Sequence, residues 1–300
     1  MPGGRFAHTT VNWALLILCS VIWGFSYYFI KHALLAFEPM QVASIRAVSA
    51  GIVLLPLVFN AFKKIPAANW GYVALCALIG NGIPMYLYPL AQTHISSALT
   101  GIVNSMTPLC TYFIAVVFFG MKNTLMKIIG VLTGLAGAVG LILFRSDPHG
   151  GSNLFYLGIA FIAPVMYGLN ANLLKKYLMQ FPALPLTALM YFFLLIPAAW
   201  MLFQTGVHET VRLHPTALPS LLHALMLGVF GTAVAMTLFN VLIRRADIMF
   251  AASISYLMPV VAICTGIMDG EALGIQEVWA LVLILAGVLM INLRQTTSGK

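Results

Sequence analysis

Ser105-Met106-Thr107-Pro108-Leu109 recurs 151 residues later as Tyr256-Leu257-Met258-Pro259-Val260. Working outward, Trp23-Gly24-Phe25-Ser26 recurs as Tyr167-Gly168-Leu169-Asn170, and Ala136-Gly137 recurs as Ala286-Gly287. The first of these outer matches is offset by 144 residues and the second by 150. An insertion of about seven residues in the second copy accounts for the change. The loop Thr205–Leu218, with His208, Glu209, Arg212 and His214, is its natural place, because surface loops accept added length cheaply. The first copy runs over residues 9–144 and the second over 151–293. A polar, turn-forming linker from Arg145 to Gly151 joins them.

Both copies are apolar throughout. The chain has 300 residues, of which 61% are hydrophobic and 7% charged. Soluble domains carry about 25% charged residues, so a membrane protein is indicated. A helical span needs about 20 apolar residues. Ten runs qualify: Trp13–Ala36, Met40–Phe62, Asn69–Ala91, Ile95–Phe119, Leu125–Phe144, Asn153–Leu173, Leu184–Gln204, Pro219–Ile243, Met249–Ile267 and Ile275–Leu293. The runs are continuous rather than alternating, which requires helices and not a barrel. The expected fold is therefore an all-α membrane protein of ten transmembrane helices. Five spans per copy is an odd number, so the second copy is inverted relative to the first. The two five-helix repeats form one integrated domain.

The formal net charge is +8, and its placement is that of topology rather than of nucleic-acid binding. With the N-terminus in the cytoplasm, eleven of the fifteen Lys and Arg residues fall inside. Lys31, Arg46, Arg145 and Arg212 fall on the outer half, and of the seven acids only Asp247 falls inside. A cytoplasmic excess of basic residues sets orientation, so both termini are expected in the cytoplasm of a bacterial-type inner membrane. A reporter that works only outside the cytoplasm, fused at the C-terminus, is expected to be silent; activity there would invert the topology. Met1–Thr10 lacks a signal-peptide cleavage pattern, which makes the first run an uncleaved helix. Cys19, Cys76, Cys110 and Cys264 lie within spans with no metal spacing, as small buried apolar residues do.

Trp23-Gly24-Phe25-Ser26 followed by Lys31 resembles the opening helix of the EamA-type drug/metabolite transporters. Arg46 early in the second span, the Pro108 and Pro259 helices, and Gly270-Glu271 fit the same family. So do the glycine-rich closing helices around Gly130, Gly134, Gly137, Gly140 and Gly287. The resemblance covers nearly the whole chain as two tandem repeats. One departure is Gly120-Met121, where that family often has Gly-Glu. The resemblance implies a ten-helix exporter of small metabolites or drugs, and amino-acid exporters, aromatic ones included, are nearest in texture.

The residues narrow the chemistry. Glu38, Asp147, Glu209, Asp247, Asp269, Glu271 and Glu277 sit at helix ends or in loops. Proton-coupled pumps hold an acid inside the bilayer, so a neutral or zwitterionic solute fits better. Polar and aromatic residues form stripes at helical spacing: Asn81, Met85, Tyr88 and Gln92; Thr100, Asn104, Thr107 and Thr111; Trp23 with Tyr27; Tyr167 with Asn170; and Ser255 with Tyr256 and Pro259. Such groups avoid lipid, because an unpaired amide in hydrocarbon costs several kcal/mol. They serve either as glue between helices or as a cavity lining. Trp23 and Tyr167 stand near mid-span, away from the interface where aromatic anchors gather.

The candidate substrate-binding set is Trp23, Tyr27, Asn81, Tyr88, Asn104, Tyr167, Asn170, Ser255 and Tyr256. Pro108 and Pro259 are candidate kinks or gates, since each removes a backbone hydrogen bond in mid-helix. Lys31 and Arg46 have two readings: contact with an anionic ligand, or snorkelling to the outer headgroups and pairing with Glu38. His94 is assigned to a helix end.

An alternating-access exporter, working as a monomer or homodimer on a small-molecule substrate in the lipid bilayer, is the leading function. A nucleotide-sugar or phosphate-ester carrier is the alternative, and the shortage of embedded Lys and Arg counts against it. An intramembrane lipid-modifying enzyme would need a nucleophile–base pair or metal ligands. No catalytic residue, metal site, cofactor motif or phosphate-binding loop is legible. A passive channel would need a filter, and none is legible either.

Overall fold

The computed structural model describes residues 10–121, 125–143, 152–245, 254–271 and 274–292, and these form helices without strands. In order they are α1 (Thr10–Ala33), α2 (Pro39–Lys64), α3 (Trp70–Ala77), α4 (Ile83–Gln92), α5 (Ser97–Asn104), α6 (Thr107–Phe119), α7 (Leu125–Leu143) and α8 (Ser152–Tyr177). They continue as α9 (Ala183–Gln204), α10 (Val207–Leu213), α11 (Ala217–Gly228), α12 (Ala235–Arg245), α13 (Ile254–Met268) and α14 (Ile275–Asn292). Among the described residues, seven helices are long and apolar enough to cross a membrane: Thr10–Ala33, Pro39–Lys64, Ala67–Gln92, Ser97–Phe119, Leu154–Tyr177, Ala183–Gln204 and Ala217–Leu242. Three shorter apolar stretches accompany them, Ile128–Gly137, Leu257–Met268 and Val278–Gly287. The protein is an all-α integral membrane protein.

Local sequence sets the helix ends. Pro39 opens α2, where a missing N–H costs nothing, and Gln41 Oε1 accepts the Glu38 N–H at 3.0 Å. Ser96 caps α5, its hydroxyl accepting Leu99 N–H at 3.2 Å. The loop expected over Thr205–Leu218 instead holds the short helix α10. Gln41 reaches it from α2, donating to Thr205 O at 2.9 Å and to Thr210 Oγ1 at 3.1 Å.

The two prolines differ. Pro108 does not kink a continuous helix: α5 ends at Asn104 and α6 begins at Thr107. The Ser105 hydroxyl donates to Ile102 O at 2.5 Å and the Thr107 hydroxyl to Asn104 O at 2.7 Å, so side chains take over carbonyls left at the break. Pro259 lies inside the single helix α13.

Two runs depart from α geometry. Leu78–Gly82, between α3 and α4, and Val229–Val234, between α11 and α12, are π-helical. They stand 151 residues apart, and in each a glycine precedes a polar residue: Gly80-Asn81 and Gly231-Thr232.

Without a hydrophobic drive between helices in lipid, small residues and close packing hold them together. Ala43, Ala47, Ala50, Leu54, Val58 and Ala61 of α2 are buried with Ala188, Leu189, Leu194 and Ala198 of α9. α7 packs along α14 through glycines. A β-carbon at Gly137 would stand 2.9 Å from Ala280 O, and one at Gly287 would press on Gly130 O and stand 2.5 Å from Gly134 N. A β-carbon at Gly24 of α1 would stand 2.6 Å from Val261 of α13, and one at Gly168 of α8 would stand 2.8 Å from Thr111 N of α6.

Gly270, with φ +80°, turns the chain back beyond α13. Glu271 then receives the N–H groups of Ser97 and Ala98 at the start of α5, each at 3.1 Å, and the Ser97 hydroxyl at 2.8 Å. Lys31 lies 3.2 Å from the same carboxylate and also pairs with Asp269. The expected pairing of Lys31 with Glu38 is thus corrected: its partners are the carboxylates beyond α13. Burial pushes the Glu271 carboxyl up, but the Ala98 and Ser97 hydrogen bonds and Lys31 outweigh it and hold the pKa below its ordinary 4.5. A lowered carboxylate pKa gives stability that is present above pH 4.5 and lost as pH falls through the folded value. Glu271→Gln is expected to cost about 1–3 kcal/mol at neutral pH. The deficit against wild type should close on acidification below pH 4.5, read from melting curves in detergent.

Candidate functional site

The sequence-derived residues fall into three neighbouring contacts. The Tyr27 and Tyr88 rings meet edge to face at 5.9 Å, and Tyr88 meets Tyr167 at 6.2 Å. The Tyr88 hydroxyl donates to Asn104 Oδ1 at 2.5 Å, joining α4 to α5. The second contact centres on Asn81 in the first π segment, whose Oδ1 accepts the Tyr191 hydroxyl of α9 at 2.9 Å. Asn170 packs on the neighbouring Gly80, where a β-carbon would stand 2.7 Å from its Oδ1. Trp23 makes the third, donating from Nε1 to Gly231 O of the second π segment at 3.0 Å. Its ring meets the edge of Phe239 at 5.0 Å. Ser255 and Tyr256 lie on α13, and their side chains fall outside the described residues.

Three residues that the sequence reading left outside the candidate set belong here. Arg46 Nε donates to Thr232 Oγ1 in the second π segment at 2.8 Å. Tyr191 is fully buried and Thr232 is 1% exposed. Of the two readings of Arg46, contact with an anionic ligand or snorkelling to the outer headgroups and pairing with Glu38, the second is not what the structure shows. Arg46 points inward instead, to the π segment whose Gly231 carbonyl holds Trp23. The signal that could have found Thr232 was the match of Leu78–Gly82 to Val229–Ala233, with Asn81 aligned to Thr232.

Polar satisfaction is incomplete here. Asn81 Nδ2 and Asn170 Oδ1 are buried without a hydrogen-bond partner among the described residues, and so are both polar atoms of Gln92. A buried polar atom left alone costs about 1–3 kcal/mol, so such atoms call for an explanation. Tyr191→Phe removes the donor to Asn81 and leaves that amide with less still. It is expected to lower stability by about 1–2 kcal/mol, measured by thermal unfolding in detergent.

His94 stacks on Tyr156 at 3.7 Å, and its Nδ1 lies 2.7 Å from Thr93 Oγ1, in keeping with a helix-end role. Among the described residues no group of three or more His, Cys, Asp or Glu is placed to hold a metal. The apolar hollow lined by Leu218, Leu221, Leu222 and Leu225 belongs to the outside of α11 and involves none of these residues.

A family model, the EamA-like transporter family, matches this chain twice, over residues 12–143 and 154–293. The chain belongs to the EamA-like transporter family. It is 26% identical over 301 residues to an uncharacterized inner membrane transporter of Escherichia coli K12, YedA, covering 96% of this chain and 93% of that one. It is 24% identical over 258 residues to an S-adenosylmethionine/S-adenosylhomocysteine transporter of Chlamydia muridarum, covering 83% and 80%. A solved crystal structure shares its fold at a TM-score of 0.62 and 19% identity, covering 93% of this chain and 95% of that chain. The EamA membership carries the function to the level of a membrane transporter, and the relatives named as transporters agree with a non-enzymatic role.

Proposed function

We propose that this EamA-family protein exports small neutral or zwitterionic metabolites, aromatic amino acids favoured, by alternating access. The solute site lies between two inverted five-helix halves, residues 9–144 and 151–293, with both termini in the cytoplasm. One observation carries the reading: contacts across the centre occur in pairs that exchange under the sequence offsets. Tyr191 of α9 holds the first π segment at Asn81, and Arg46 of α2, one position away from its match, holds the second at Thr232. Asn170 rests on Gly80, and its counterpart Ser26 rests on Gly231. Tyr88 meets Tyr167, and their counterparts Phe239 and Trp23 meet each other. Gly24 on Val261 is matched by Gly168 on Cys110 and Thr111. Inverted repeats related in this way are how many secondary transporters place a solute site near the midplane.

The lining supports a small, partly aromatic solute with hydrogen-bonding ends: several aromatic rings, few polar groups, and two unpartnered amide atoms. The Chlamydia relative is named for a solute that contains an amino-acid end and an aromatic base, which fits the same description. The π segments are the natural moving parts, since such bulges concentrate at functional positions in helices.

Counterflow in liposomes tests the proposal. Purified protein is loaded with an excess of unlabelled amino acids and given one labelled aromatic amino acid outside. Transient accumulation of label that then collapses is the expected result. A steady, non-saturating leak would replace a carrier with a channel.

A further inference from the structure

Arg46 places a positive charge inside a span. It lies seven residues inside the start of α2, about 10 Å along the helix. Its partner Thr232 gives its own proton to Leu227 O at 3.1 Å, so the Thr232 oxygen is free to accept from Arg46 Nε. That is the one hydrogen bond the Arg46 side chain makes among the described residues, and no described carboxylate pairs with it. The two terminal nitrogens of the fork are left over. Lys31, a cation at the outer end of α1, has two carboxylates.

A positive charge inside a span is costly and is normally matched by a partner. Arg46 stands beside the aromatic cluster instead: Thr232, which holds it, follows Gly231, whose carbonyl accepts Trp23 Nε1 at 3.0 Å. With Nε anchored on a π segment, the remaining fork has a fixed direction. Two parallel N–H donors in a plane are the geometry that grips a carboxylate bidentately.

We propose that the terminal nitrogens of Arg46 bind the carboxylate of the carried solute, with the rings of the aromatic cluster around Trp23 against its apolar or aromatic remainder. This rests on the reading of the aromatic cluster as the solute site. One arginine neutralises one negative charge, so the class is a monocarboxylate, amino acids included, rather than a phosphate dianion. The bond from Thr232 also makes the fork part of the second π segment. Movement of that segment would carry the carboxylate site with it.

The experiment is counterflow in liposomes with labelled L-phenylalanine and, separately, labelled S-adenosylmethionine. The inside is loaded in turn with L-phenylalanine, 3-phenylpropionate, L-phenylalaninamide or glycerol 3-phosphate. The two carboxylates are expected to drive exchange, and the amide and the phosphate ester are not. Arg46→Gln should reduce exchange at least about tenfold, the loss of one charge-assisted pair. Arg46→Lys, which keeps charge without the fork, should fall between.

Equal exchange of phenylalanine and its amide would overturn the carboxylate site and leave the carrier standing. So would an Arg46→Gln protein of unchanged rate. Preference for glycerol 3-phosphate would replace the carboxylate with a phosphate. No exchange of either label by the wild type would overturn the amino-acid reading of the solute, and the carboxylate site with it. The acid–amide comparison needs no variant, so it decides the matter even if Arg46→Gln does not fold.

Discussion

Gly287→Ala is expected to lower the stability of the purified protein by about 1–3 kcal/mol or more, the range for forcing extra atoms into a packed seam. A β-carbon at Gly287 would press on Gly130 O and stand 2.5 Å from Gly134 N, and both are backbone atoms. A flexible side chain could swing aside; a helix backbone moves only by separating α7 from α14. Nothing in the lipid favours keeping the helices together once contact is lost, because apolar side chains are as well solvated by lipid tails as by each other. The comparison is Gly71→Ala, where a β-carbon would meet nothing within 4 Å. Its melting curve in detergent should match wild type. Equal curves for the two variants would mean that α7 and α14 approach less closely than their glycines indicate.

The same seam shows what was legible in the sequence. Gly130, Gly134 and Gly137 announce close packing because glycine at spacing four and three leaves a flat face. The helices themselves were legible because an apolar run of about 20 residues has few other fates. Run ends such as Pro39 and Ser97 fell within a few residues of expectation, since caps and prolines are local signals. The π segments were not legible. Leu78–Gly82 and Val229–Val234 read as ordinary apolar helix, and the partners that meet them at Asn81 and Thr232 lie on helices distant in sequence. The choice between the two readings of Arg46 was not legible for a related reason. A basic residue two turns into a span looks like a snorkelling one until its partner on a distant helix is known, and Thr232 lies 186 residues away. Lys31 shows the same gap: Glu38 is nearer in sequence, but Gly270 turns Glu271 back to meet it.

Trp23→Ala is expected to leave a folded protein and remove transport. Trp23 fastens α1 to Gly231 O, and the next residue, Thr232, holds Arg46. The indole therefore sets where the second π segment sits relative to α1, and through Thr232 where the Arg46 fork points. Alanine removes the donor and the edge contact with Phe239 together. The hydrogen bond is worth about 0.5–1.5 kcal/mol and the ring contact a similar amount, so the rate should fall by tenfold or more, at about 1.4 kcal/mol per tenfold. Stability has less to lose, because Trp23 is only partly buried and the packing of α1 on α13 runs through Gly24. Trp23→Phe keeps a ring and loses the donor, and should stand between wild type and alanine. The measurement is counterflow rate alongside gel filtration and melting temperature. A folded Trp23→Ala protein with unchanged kinetics would take Trp23 out of the site and leave the π segment positioned by Arg46 alone.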